Sequence, residues 1–148
     1  MDSRLRQKLA ERREKAALAG IEAGLGDLRP GGALEPGAVP AWVGEAIERT
    51  WDIFTEPAER LRDDTPPERL DAWLEDLLTT QGLTGRVHLA SHLGILPWLE
   101  CRAPGRADLA RVRGAIEEPW MFLSSSLDTL VVTEGEYHYE AHVLRGGS

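Results

Sequence analysis

Three apolar runs close this sequence, Trp120–Ser124, Thr129–Glu134 and Tyr137–Leu144, and only short polar links separate them. β-branched and aromatic residues fill the runs, and these suit a pleated, half-buried surface. Glu134-Gly135-Glu136 reads as a hairpin turn. Links this short leave no room for a crossover, so neighbouring runs must pair antiparallel. Upstream, Arg86–Leu93 and Pro97–Arg102 read as two further strands, broken by Gly94 and Pro97. Ala107–Glu118 reads as a helix through Leu109, Val112 and Ile116, stopped by Pro119.

The remaining signals are helical. Thr65-Pro66-Pro67-Glu68 matches a capping box, with Thr65 as N-cap, Pro66 in the first turn and Glu68 reaching back. Leu70, Trp73, Leu74, Leu77 and Gln81 follow on one face, and Gly82 ends the helix. Asp71, Glu75 and Asp76 fall on the opposite face. Val43, Ile47, Trp51 and Phe54 recur at helical spacing, and Thr55 can cap a short helix beyond them. Residues 3–23 form a helix capped by Asp2 or Ser3, with only a thin stripe of Leu5, Leu9, Ala16 and Ile21. Between residues 24 and 41, eight of eighteen residues are Gly or Pro, the composition of a linker. The expectation is therefore a helical arm (1–23), a linker (24–41) and one α+β domain (42–148). In that domain helices precede a mainly antiparallel sheet of order β-β-α-β-β-β, covered by helices on one face.

With 148 residues and 42% hydrophobic content, the chain can bury a core, and its five tryptophans exclude disorder. No apolar stretch approaches the ~20 residues of a membrane span, and no apolar leader follows the charged start. Cys101 is the single cysteine, so no internal disulfide can form. A cytoplasmic protein that meets no membrane is expected. The net charge of −8 is uneven. Residues 1–15 carry six basic and three acidic side chains, whereas residues 45–76 carry eleven acidic and four basic ones. An acidic body repels nucleic acid and favours a cationic protein partner.

Candidate chemistry is sparse. His88/His92 and His138/His142 share one spacing, and in strands each pair points to one face, with Glu140 inside the second. If their strands are neighbours, four imidazoles could hold Zn²⁺. Otherwise they sit singly on a polar face, and no resident metal or cofactor is expected. Ser124-Ser125-Ser126 lacks the context of a nucleophile elbow and suits a turn. Cys101 reads as a buried, inert thiol. No catalytic residue is assigned.

The segment Trp120-Met-Phe-Leu-Ser-Ser-Ser-Leu-Asp-Thr-Leu-Val-Val-Thr-Glu-Gly-Glu-Tyr-His-Tyr is similar to small bacterial immunity proteins, which protect a cell against polymorphic or contact-delivered toxins. The resemblance spans about 25 residues and agrees with the acidic charge and the α+β body. It implies inhibition by occlusion, in which the protein blocks the active site or groove of a cationic, nuclease-like toxin. The expected partner surface comprises Asp52, Glu56, Asp71, Glu75 and Asp76 from the acidic run, with Tyr137, His138 and Tyr139 from the hairpin. Two other readings are a metal-dependent or other α+β enzyme domain using the His88/His92/His138/His142 face, and an accessory subunit docking through its N-terminal helix. The terminal Arg145-Gly146-Gly147-Ser148 also resembles the tails of ubiquitin-like proteins, whose core is much shorter than this chain.

Overall fold

Trp120-Met121-Phe122-Leu123 alternates large apolar side chains to both sides of a strand, so this strand must lie at the middle of a sheet covered on both faces. That is its position in the computed structural model, which describes residues 2–52, 56–62, 64–135 and 138–146. In chain order the elements are α1 (Ser3–Leu25), α2 (Ala41–Thr50), β1 (Glu59–Arg62), α3 (Pro67–Thr80), β2 (Arg86–Ala90), β3 (Trp98–Arg102), α4 (Arg106–Ala115), β4 (Trp120–Ser124), β5 (Thr129–Gly135) and β6 (His138–Arg145). The α+β class holds. One antiparallel sheet runs β1-β6-β5-β4-β2-β3. All five residues of β4 are buried.

Alternation along the strands divides the interior in two. Val87, Leu89, Leu99, Phe122 and Val131 face a layer made of α1, α3 and α4. Ala90, Trp98, Met121, Leu123, Leu130 and Val132 face the other way, onto Val43 and Ala46 of α2. Helices therefore reach both faces of the sheet, not the single face expected. α2 and the segment before it cover the centre of the second face, while strand ends there stay accessible.

β1 is an additional strand. The residues after Thr55 were expected to form a short helix; instead Glu59–Arg62 pairs with Ala141–His138 of β6. A four-residue segment has little helical preference of its own, and the open edge of β6 offers it backbone partners. Phe54 and Thr55 lie outside the described residues. The capping box also differs. α3 starts at Pro67, with Pro66 as an N-cap that makes no side-chain hydrogen bond, one residue later than the Thr65 reading. The buried stripe is as expected at Leu70, Leu74 and Leu77, with Leu78 added and Trp73 half-buried.

The arm and linker are tied to the body at their junction. Ile21, Leu25 and Leu28 are buried in the first cluster. Gly24 packs so closely on α4 that an added Cβ would stand 2.9 Å from the Cβ of Ala115. The Glu14 carboxylate accepts hydrogen bonds from the amides of Gly94 and Ile95 in the β2–β3 loop. Ala33 bridges Leu99, and the Leu34 amide donates to the Trp98 carbonyl at 3.0 Å, so the Gly/Pro-rich segment runs along the β3 edge. The thin stripe describes the first half of α1, where residues 2–8 are all exposed. No helix among the described residues is long and apolar enough to cross a membrane.

This division of α1 sets an expectation for thermal or urea unfolding. Removing residues 2–8 costs under about 1 kcal/mol, the loss of a cap and of solvated side chains. Leu25→Ala costs about 2–5 kcal/mol through lost burial and an unfilled cavity.

Candidate partner-binding site

The acidic run does not make one surface, because α2 and α3 lie on opposite faces of the sheet. Asp52 follows α2 and is exposed, as is Glu56. Asp76 is exposed on α3. Asp71, expected to face a partner, is only 6% exposed. Its two carboxylate oxygens accept from Arg113 Nε and Nη2 at 2.7 and 2.8 Å, a bidentate pair joining α3 to α4. Glu75 is half-buried, accepts the backbone amide of Arg106 at the start of α4 and pairs with its guanidinium at 3.4 Å. Asp71 and Glu75 are thus interhelix ties. One face of α3 packs on the sheet and its flank meets α4, so residues one position off the apolar stripe are enclosed.

The hairpin contributes less surface than expected. His138 is exposed, and Tyr137 lies outside the described residues. Tyr139 is half-buried against the first core cluster, over Gly135. β1 occupies the outer edge of β6.

The four histidines do not converge. β4 and β5 separate β2 from β6. β2 ends at Ala90, and His92 lies beyond it with φ of 64°, its Nε2 donating to the Pro119 carbonyl at 2.7 Å. His88 is half-buried between Leu123 and Glu100, and its Nδ1 has no partner among the described residues. Burial holds both His88 and His142 below the ordinary imidazole value, partly offset by Glu100 and Glu140 respectively. A different grouping does form: a ligand atom from each of Glu134, Glu140 and His142 lies within 4.8 Å of the others. Glu140 also pairs with Arg60 Nε at 3.2 Å.

The serines serve the β4–β5 turn. Ser124, Ser126 and Thr129 hydroxyls all donate to Asp128 Oδ1, and these donors hold its carboxyl below the usual range. Burial pushes the Cys101 thiol up to about 11, so it stays protonated and unreactive. A cleft of about 650 Å³ lies between α1, the β2–β3 loop and the end of α4. Its single histidine, His92, is already committed to Pro119.

The feature that stripe reasoning misplaced is Trp51. At the spacing of Val43 and Ile47 it reads as core, yet α2 ends at Thr50 and Trp51 is 62% exposed as its C-cap. Only the end of the helix, invisible in the spacing, turns it outward. Glu45, Glu48, Arg49 and Asp52 of the same segment line a shallow depression. α2 and its end thus carry several exposed carboxylates and an exposed indole. No family model matches this chain, and neither do the curated proteins or the solved structures.

Two expectations follow from these environments. Asp71→Ala leaves Arg113 enclosed without its partner and destabilises by about 3–5 kcal/mol in urea unfolding, whereas Asp76→Ala stays within about 0.5 kcal/mol. The lowered histidines make stability sensitive to acid. The unfolded chain takes up protons near 6.5 while the folded imidazoles remain neutral, so this contribution is complete above 6.5 and is lost as pH falls towards the folded values. Ring resonances of His88 and His142 in an NMR titration should show midpoints below 6.5.

Proposed function

We propose that this protein is a protein-binding inhibitor of the immunity type, and that it occludes the active site or substrate groove of a basic, nuclease-like toxin. The observation that carries this reading is Trp51, exposed at the end of α2, on a segment whose Glu45, Glu48 and Asp52 are exposed as well. Exposing an indole to water is unfavourable, and tryptophan is a preferred anchor at protein interfaces. The carboxylates of this segment would steer a cationic surface into register and occupy the position of a polyanionic substrate. The docking surface is then α2 with its C-terminal turn, including Asp52 but not Asp71 or Glu75. Exposed Glu56 borders it in sequence. Cytoplasmic residence belongs to the same proposal.

The first half of α1 supports a second reading, the accessory subunit. Leu5 is 49% exposed there among basic side chains, a surface of opposite charge. Binding kinetics against the product of the adjoining gene separate the two. On the first reading Trp51→Ala weakens binding at least about thirtyfold, mainly by faster dissociation. Glu45→Lys with Glu48→Lys slows association, most at low salt. Unchanged rates in both variants, with loss of binding on Leu5→Asp, would replace the inhibitor reading with the accessory one.

A further inference from the structure

We infer that Glu134, Glu140 and His142 form a binding site for one Zn²⁺ ion, on the sheet face opposite α1, α3 and α4. Glu134 and Glu140 are directly opposed in the β5–β6 ladder, and His142 lies two residues further along β6, opposite Val132. All three therefore project from the same face. Their ligand atoms already lie within 4.8 Å of one another. Tetrahedral zinc with bonds of about 2.0–2.1 Å separates its ligand atoms by about 3.4 Å, a contraction that glutamate rotamers can supply.

His142 gives the cluster its direction. It is only 4% exposed, and it shares its face of the sheet with both carboxylates. An enclosed imidazole beside two carboxylates is a donor set that one divalent metal ion can bring together. The carboxylates add a second motive. Like charges directly opposite each other on an antiparallel pair are destabilising, and a divalent cation shared between them removes the repulsion. Arg60 partly plays that role on Glu140 at 3.2 Å, but its side chain is largely exposed and free to swing away.

The donor set selects the ion. One imidazole and two carboxylates suit Zn²⁺, whereas Mg²⁺ prefers oxygen ligands and keeps its waters. Three protein ligands leave the fourth position open to water. The site is distinct from the four-histidine cluster, since His88, His92 and His138 take no part. Its three ligands belong to β5 and β6 and not to α2, so it does not depend on the inhibitor reading.

The test is calorimetric titration of the full chain, freed of metal by chelation, with ZnCl₂ and separately with MgCl₂. The expected result is one Zn²⁺ per chain, a raised melting temperature and no response to Mg²⁺. Glu134→Gln and His142→Gln should each weaken Zn²⁺ binding at least about tenfold. Glu134→Gln is isosteric and on the accessible side, so it keeps the test valid if the buried histidine variant fails to fold. Arg60→Ala should tighten binding several-fold by removing the competing cation. Absence of saturable Zn²⁺ binding, or binding unchanged in Glu134→Gln, would overturn the site. Weaker binding in Arg60→Ala would do the same, because competition at Glu140 would then be wrong.

Discussion

Burial of β4 on both faces is the constraint from which the rest of the molecule follows. Trp120 and Phe122 need one apolar cover, and Met121 and Leu123 need another. α1, α3 and α4 supply the first. The second comes from α2 and the Gly/Pro-rich segment that leads into it along β3. That segment is rich in glycine and proline because it turns closely around a sheet edge, as at Gly31 and Gly32, whose φ values are positive. α2 is shorter than the face it covers. The ends of β5 and β6 therefore keep polar side chains on that face, and Glu134, Glu140 and His142 meet there.

The same geometry sorts the acidic residues by role. A net charge of −8 invites the view that the whole run from residue 45 to 76 is one binding face. Arginines instead pair with some of its carboxylates and with others outside it. Asp71 is held by Arg113, Glu75 by Arg106, Glu140 by Arg60 and Glu100 by Arg86. Two of these pairs tie helices α3 and α4 together, and two tie neighbouring strands. The ridge of α2 differs in combining several exposed carboxylates with an exposed indole. Density of charge along the chain is thus a poor guide to a docking surface, whereas charge beside exposed aromatic area is a better one.

Most of the sheet was legible because its signals are local. Strand runs, turn residues and short links all act within a few residues, and β4 to β6 fall within one residue of their expected limits. Strand β1 was not legible, because Glu-Arg-Leu-Arg becomes a strand only when β6 offers an edge. The histidine cluster failed for a related reason: identical spacing in two strands says nothing about how many strands lie between them. Asp71 was misread because an amphipathic pattern separates apolar from polar residues, not solvent from a neighbouring helix. The exposure of Trp51 was not legible because its four-residue spacing from Ile47 continues past Thr50, where the helix stops. Glu134 entered no candidate set, since its opposition to Glu140 depends on the register of the hairpin.

Hydrogen–deuterium exchange on the complex tests the central claim, that partner docking centres on α2 and Trp51. With the adjoining gene's product bound, backbone amides of residues 41–52 should gain protection, while those of α3 and the first half of α1 exchange as in the free protein. Protection confined to α3 or to the start of α1, with α2 unchanged, would contradict the account.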